Sequence, residues 1–478
     1  VLFGCPYLSM FLPASASILL AYEDNERTQD IAAQMIFGTD PICGLSPVNI
    51  NTYLKEGYGI QRPALHRLGY AIPESMGLSS AELNKIDSIA GDLIQIHAAP
   101  GCQILIAKDE KIVYRKSFGY LNYDSIEWVD NKTLFDLASL TKISCSAPVL
   151  MALDDQNKIE TSAKISKYIP EFKSSEKQQI VIKDILLHQA KFVSWIPFYK
   201  KTLIYPDSLN ILNPKYYDTT ASIQFNIPIC HKLYLKSNYQ DSILNEIIQS
   251  KNIAEKKYWY SDVGFYFIPK LVQYTTGLQL ENYFEKTFAM PLHLRYTCFN
   301  PLNHYFSESQ IAPTEEDSYF RHQKIQGYVH DMGAAMMGGI SGHAGLFSNA
   351  GDVAILMQLF LNLGTYGDQE FFSSSTVKKF IKRDKELGKR ALVFDMPDLR
   401  DSTIAYVSNL APKSTFGHQG FTGTCAWADP ENNIVYVFLS NRTYPDSKQN
   451  LLHKNRFRTK IQDQIYKALF KPEIQTLK

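Results

Sequence analysis

Ser139 stands three residues before Lys142 in the stretch Phe135-Asp136-Leu137-Ala138-Ser139-Leu140-Thr141-Lys142, where an apolar, helix-like segment begins. At that spacing two side chains share one helix face, a single turn apart. A hydroxyl beside an amine is a nucleophile beside a base, the equipment of acyl transfer. The hydroxyl must be activated by such a neighbour, and lysine can serve only if burial or a positive field lowers its pKa. A helix N-terminus supplies that field, and its free N–H groups offer part of an oxyanion hole. The spacing alone carries little. It recurs at Ser174/Lys177 and Ser375/Lys378, in polar stretches where it predicts no chemistry. A helix-capping serine followed by a surface lysine would read the same way.

Two further motifs follow in chain order. Tyr260-Ser261-Asp262 lies between an aromatic-rich region and a helix, and His418-Gln419-Gly420 precedes Phe421-Thr422-Gly423-Thr424 and a strand. A tyrosine beside the serine–lysine pair could relay the proton to the leaving group. Each residue also has a plainer reading: Tyr260 as a core aromatic, Asp262 as the cap of the helix starting at Val263, His418 as a hydrogen-bonded strand histidine. His188 and the pair His330-Asp331 are expected to be structural hydrogen bonders. The eleven histidines form neither His-Glu-x-x-His nor a cluster, so no metal is expected, and nothing in the sequence calls for a cofactor.

With the three motifs in this order, the chain resembles the serine β-lactamase and penicillin-binding-protein superfamily. It is most similar to the class C β-lactamase-like branch, which includes esterases and D-amino-acid peptidases. The resemblance runs from about Ser79 to Phe470 and takes in Tyr168-Ile-Pro-Glu-Phe172, Ile185-Leu-Leu-His188, Gly339-Ile-Ser-Gly-His-Ala-Gly-Leu-Phe-Ser348 and Gly417-His-Gln-Gly-Phe-Thr-Gly-Thr424. It implies an α+β, β-lactamase-like fold: an antiparallel sheet flanked by terminal helices, a mostly helical subdomain, and the site between them. It also implies roles. Ser139 would be the acylated nucleophile, Lys142 its base and Tyr260 the second proton carrier. The N–H groups of Ser139 and Phe421 would form the oxyanion hole, and Asp262, His418 and Gly420 would contact substrate. Two departures stand out. Asp262 replaces the family's usual asparagine, and His418 replaces the lysine of Lys-Thr-Gly. A carboxylate is a poor match for a β-lactam side-chain carbonyl, and histidine carries no permanent charge for the β-lactam carboxylate. The expected activity is therefore that of an esterase, amidase or D-peptidase, with at most weak β-lactamase activity. The competing expectation is a non-catalytic module that binds a cell-wall ligand.

Composition bounds the partners. Forty-nine basic and 48 acidic residues nearly cancel, which gives no electrostatic reason to expect nucleic acid or an anionic membrane. The partner expected is a small-molecule or peptide acyl substrate. Seven scattered cysteines, none in Cys-x-x-Cys, predict free, mostly buried thiols. No segment reaches the ~18 apolar residues of a spanning helix. The chain starts with Val1 and no basic leader, so any targeting signal is expected upstream. The family resemblance implies a periplasmic or secreted protein.

Residues 1–58 read as a partial α/β layer: a strand over 17–21, a helix capped by Asn25 or Thr28 and stopped by Gly38, then another extended piece. The phrases Ala21-Tyr-Glu-Asp24, Ala32-Ala-Gln-Met-Ile-Phe-Gly38 and Gly44-Leu-Ser-Pro-Val48 are similar to the end of the α/β sandwich of family-three glycoside hydrolases. That resemblance implies a glycosidase domain fused upstream. Residues 59–77 read as a linker and 78–478 as the hydrolase module. Ser79-x-x-Glu82 predicts a capped helix to about His97, and 103–107 with 111–118 predict a hairpin. Pro148 predicts a kink or an early stop in the helix after Ser139. The charge run Lys382–Arg390 predicts a solvated loop. The glycines at 338, 339, 342 and 345 predict tight turns or close backbone approach. The aromatic stretch 192–259 predicts packed cover for a subdomain, a lid lining the substrate cleft, or both.

Overall fold

Ile104 and Ile106 leave their strand on one side, Leu105 and Ala107 on the other, because successive side chains of a strand alternate. Both sides are buried in the computed structural model, which describes residues 1–13, 15–253, 258–401 and 406–470. The central sheet has six strands: β1 (Gly69–Tyr70), β2 (Gly101–Lys108), β3 (Lys111–Gly119), β4 (Phe416–Gln419), β5 (Cys425–Asp429) and β6 (Ile434–Ser440). Their order is β4-β5-β6-β2-β3-β1, antiparallel except where β1 joins β3. The β2–β3 hairpin turns through Asp109 and Glu110, with φ of +50° and +65°. Two consecutive left-handed residues match the twist of the strands they join. Within residues 59–77, expected as a linker, β1 therefore supplies an edge strand.

One face of the sheet carries two helices, α1 (Lys85–Gln95) and α5 (Phe457–Ala468), one from each end of the module. Ile86, Ala90 and Leu93 pack there with Ile461, Ile465, Tyr436 and Phe438. The helix expected from Ser79 is divided at Asn84. Ser80–Leu83 forms a short turn of its own, and Ser79 Oγ accepts from Glu82 N at 3.3 Å. Glu82 does not complete a capping box. Its carboxylate meets Lys85 and Gln464 instead.

The opposite face carries α4 (Ala350–Leu361), buried on nearly all sides, together with α2 (Ala147–Asp155), α3 (Ile268–Thr276) and the remaining short helices. The aromatic stretch contributes more strand than a mostly helical subdomain implies. Tyr217–Asp218, Phe225–Cys230 and Leu233–Lys236 form a three-stranded antiparallel sheet, and Tyr199, Tyr217 and Phe320 pack together at its foot. The stretch is thus packed cover, although Trp195 and Trp259 remain about half exposed.

At the N-terminus Leu2–Phe3 pairs in parallel with Leu20–Ala21. Helix Glu26–Ile36 follows, with Asn25 Oδ1 accepting from Thr28 N. This segment is tied to the sheet where Lys111 Nζ donates to Thr39 O at 2.7 Å and pairs with Asp40. All seven cysteines are free thiols, and Cys102, Cys145, Cys230 and Cys425 are buried. No described helix is long and apolar enough to cross a membrane.

Candidate active site

Short pairings fix the nucleophile loop before the helix begins. Phe135–Asp136 pairs with Leu346–Ser348, which in turn pairs with Cys298–Phe299. Leu137 N then donates to Leu346 O at 3.0 Å, and the chain turns sharply. Ala138 takes φ of +46°, a left-handed conformation uncommon for a residue with a side chain. The buried Asp136 carboxylate holds this turn. Its Oδ1 accepts from Ala138 N at 2.8 Å and its Oδ2 from His330 N at 2.7 Å. Burial raises its pKa to about 6.

Ser139 lies in this turn, ahead of the helix and not within it. Lys142 N reaches back to Ser139 O at 3.0 Å, an i to i−3 contact that still brings the two side chains together. Lys142–Ser146 is a π-helical turn, closed by Ala147 N donating to Lys142 O. The widening accounts for Pro148. The proline stands two residues past the widened turn, in a helix that runs on without a break from Leu140 to Asp155.

Lys142 is fully buried, and its Nζ has three oxygen partners: Ser139 Oγ at 2.9 Å, Asp262 Oδ1 at 2.6 Å and His343 O at 3.4 Å. The Tyr260 and Phe265 rings face it at 5.3 and 5.4 Å. Burial works to lower its pKa, but Asp262 and Tyr260 together outweigh burial, and the net direction is upward from the ordinary lysine value. Tyr260 OH donates to Ser139 Oγ at 3.0 Å. Burial raises the phenol's pKa despite the nearby ammonium, so at neutral pH it keeps its proton. Two donors thus converge on the Ser139 oxygen.

The Tyr260 segment is braced from behind. His188 takes φ of +56°, and its ring lies 4.4 Å from that of Tyr260. Its Nδ1 meets the Ser261 main chain at 3.0 Å to O and 3.2 Å to N. Burial, with Arg390 and Lys142 nearby, holds its pKa well below the usual histidine value, so the ring is neutral. Asp262 N donates to Ser194 O, which fastens the same segment to the aromatic stretch. Asp262 does not cap the following turn with its side chain. Instead its carboxylate points at Lys142. Its Oδ1 makes that contact, and the group keeps about a fifth of its surface exposed.

The third wall is the end of β4 and its turn into β5. Gly420 N donates to Thr424 O at 2.8 Å. Thr422 Oγ1 reaches Asp136 O at 2.7 Å and Thr424 Oγ1 reaches Leu137 O at 3.0 Å, so the turn clamps the nucleophile loop directly. A side chain at Gly420 would lie 2.5 Å from Leu137 O, which explains the glycine. Phe421 follows, about half exposed. Its carbonyl accepts from Arg442 Nε at 2.8 Å, and its ring lies 4.5 Å from that guanidinium.

His418 is buried. Its Nδ1 lies 2.7 Å from Gln419 O, and its Nε2 is 3.7 Å from Asp395 Oδ2. Burial lowers its pKa to about 4 against the pull of Asp395, so it too is neutral at pH 7. The permanent charge here belongs to Arg390, which sequence reasoning did not single out. Arg390 ends the charge run expected to be a solvated loop, yet it is fully buried, paired with Asp395 and donating to Val393 O at 2.9 Å. Asp395 in turn extends the sheet edge through two backbone bonds with Gly417. An arginine at the end of a polar run looks like surface in one dimension. Its partner five residues on was the only available signal.

The other serine–lysine spacings separate cleanly. Lys177 is buried with its Nζ on the Ile248 and Ser250 carbonyls, a structural role. Ser375 and Lys378 belong to a surface helix. The glycine-rich stretch behaves as expected: Gly338, Gly339 and Gly345 have positive φ, and Gly342 lies where a Cβ would be 2.5 Å from Phe265 O. His343, two residues from Ser341, pairs with Asp331 at 3.2 Å and lends its carbonyl to Lys142. Among the described residues no group of histidines, cysteines and carboxylates is disposed to hold a metal ion.

A sheet packed between terminal helices and a second, largely helical layer, with serine, lysine and tyrosine gathered at their junction, is the architecture of a serine hydrolase. The chain belongs to the β-lactamase family, whose sequence model matches residues 86–459. It is 32% identical over 430 residues to an Escherichia coli (strain K12) protein named "Putative D-alanyl-D-alanine carboxypeptidase", covering 83% of this chain and 93% of that one. A Salmonella agona protein of the same name is 31% identical over 455 residues, covering 87% and 97%. Among solved structures, a penicillin-binding-protein homologue from Caulobacter crescentus superposes with a TM-score of 0.58 at 14% identity, over 82% of this chain and 99% of that one. A family VIII carboxylesterase superposes with a TM-score of 0.56 at 14% identity, over the same shares. At those identities the structures establish the fold alone.

Proposed function

We propose that this serine hydrolase acts on acyl-D-alanine peptides and related esters through an acyl-enzyme on Ser139. The observation that carries the reading is the convergence of Lys142 Nζ and Tyr260 OH on the oxygen of one half-buried serine, at 2.9 and 3.0 Å. Lys142 and Tyr260 move the proton. The N–H groups of Ser139 and Phe421 receive the developing oxyanion, where preorganised donors are worth most. Asp262, His418 and Gly420 border the place where substrate lies. The names of the E. coli and Salmonella relatives support a peptide ending in D-alanine as substrate. A peptide of that kind belongs to the cell wall, which supports a location in the periplasm or outside the cell. The order of strand, helix and turn over residues 1–58 supports a further element of the reading, descent from a fusion with a family-three glycosidase.

The two departures favour peptides and esters over β-lactams. Asp262 presents a carboxylate engaged with Lys142 where an amide would bind a β-lactam side chain. His418 is neutral at pH 7. Steady-state rates should be compared on a nitrophenyl ester, a diacyl-Lys-D-Ala-D-Ala peptide and nitrocefin. The expected result is turnover of the ester or the peptide at least about tenfold faster than nitrocefin, a difference of about 1.4 kcal/mol in barrier. Nitrocefin as the fastest substrate would contradict the reading.

A further inference from the structure

The resting geometry leaves the Ser139 proton without an acceptor at the serine itself. Lys142 and Tyr260 both donate to Ser139 Oγ. Lysine 142 is an ammonium held by Asp262, and Tyr260 is a neutral phenol. A base must be unprotonated to act. Around Nζ the remaining neighbours are the His343 carbonyl, which cannot take a proton, and the faces of Tyr260 and Phe265. His188, His418 and Arg390 stand further out with Asp395, which is committed to Arg390. Asp331 is committed to His343 and the cap of Met332–Met336. The carboxylate in contact with the reacting pair is Asp262, at 2.6 Å from Nζ.

We propose that Asp262 is the terminal proton acceptor of acylation, reached from Ser139 through Lys142. The path is Ser139 Oγ to Nζ, 2.9 Å, then Nζ to Asp262 Oδ1, 2.6 Å. As Oγ bonds to the acyl carbon, the carbonyl electron pair moves onto its oxygen. The Oγ–H bond breaks, its proton goes to Nζ, and Nζ gives a different proton to Oδ1. The product state holds an ammonium and a neutral carboxylic acid beside the tetrahedral adduct. When the adduct collapses, the bond to the leaving atom breaks and Tyr260 gives that atom its phenolic proton. Tyr260 recovers a proton from Lys142, whose Nζ stands 5.3 Å from the centre of its ring, and Lys142 recovers its own from Asp262. No proton is gained or lost over acylation. On this account the aspartate is a working exchange for asparagine and not a decayed site.

The inference rests on Ser139 as the nucleophile, and one experiment separates the two. Single-turnover acylation by a nitrophenyl ester is followed from about pH 4 to about pH 10 in the wild type, Asp262→Asn and Asp262→Glu, with thermal melting as a control for folding. The wild type should hold a plateau from about pH 6 through about pH 8 and lose rate only on the acid side of it. In Asp262→Asn a neutral lysine must serve directly, so the limb should move up by at least about 2 pH units, with a loss of about 100-fold at pH 6. Asp262→Glu should restore the low limb. The relay is overturned if the wild-type rate climbs tenfold per pH unit to about pH 10, or if the Asp262→Asn limb stays put or moves down. Those results would mean that Asp262 only restrains a lysine base. Absence of acylation in the wild type at every pH would instead overturn Ser139 as the nucleophile.

Discussion

Replacing Lys142 by alanine is expected to lower kcat/KM for ester hydrolysis by about 10³-fold or more, with most of the loss in kcat. Proton transfer by one positioned side chain contributes about 10²–10⁴-fold, and this lysine also places Asp262. Its Nζ joins Ser139, Asp262 and the His343 carbonyl, so the substitution severs three elements at once. The variant should also lose stability. Breaking a buried ion pair by deleting one partner costs about 3–5 kcal/mol. The figure here should fall below that range, because the Asp262 side chain is about a fifth exposed and water can reach it. Lys142→Met fills most of the volume and separates the two effects: it should melt nearer the wild type than Lys142→Ala and be equally inactive. Esterase activity within about tenfold of the wild type in Lys142→Met would place the proton chemistry elsewhere.

Gly420→Ala is expected to remove about 10²–10³-fold of kcat while changing KM little. An added Cβ would sit 2.1 Å from Thr424 Oγ1 and 2.5 Å from Leu137 O. The threonine hydroxyl can rotate away, but the Leu137 carbonyl belongs to the nucleophile loop and cannot. The turn that carries the Phe421 N–H must therefore back away from Ser139. Misplacing one oxyanion donor costs about 2.7–4 kcal/mol in the transition state. Gly91→Ala is the control. That glycine lies in α1 with nothing within 4 Å of the added carbon, so activity should be unchanged and stability should rise by up to about 1 kcal/mol. A Gly420→Ala enzyme of full activity would show that the Phe421 N–H is not a donor in the rate-limiting step.

The site was legible in the sequence where chemistry and local pattern coincide. Ser139, Lys142 and Tyr260 meet at one oxygen, and the family resemblance rested on their order along the chain. The central hairpin could be read from its two β-rich runs, 103–107 and 111–118, where Leu105 and Ala107 face one core and Ile104 and Ile106 the other. What could not be read depends on distance in the chain. Arg390 and Asp395 form a buried pair behind His418, but in sequence they sit beside a charged run that resembles a solvated loop. Asp136 earns its place through His330 N, 194 residues away. Arg442 holds the Phe421 carbonyl from the far end of β6. Helix periodicity does not predict a π turn either, so the widened turn that precedes Pro148 within the continuous helix could not be foreseen. Asn84 divides the expected first helix for a similar reason, since an amphipathic pattern continues through a break that preserves the buried face.

The central claim is that Ser139 is the residue acylated. It is tested most directly by treating the protein with a fluorescent fluorophosphonate, digesting it, and locating the modified peptide by mass spectrometry. A single adduct on Ser139 in the wild type, absent from a folded Ser139→Ala variant, is the predicted result. No adduct in the wild type, or equal labelling of Ser139→Ala, would contradict the account.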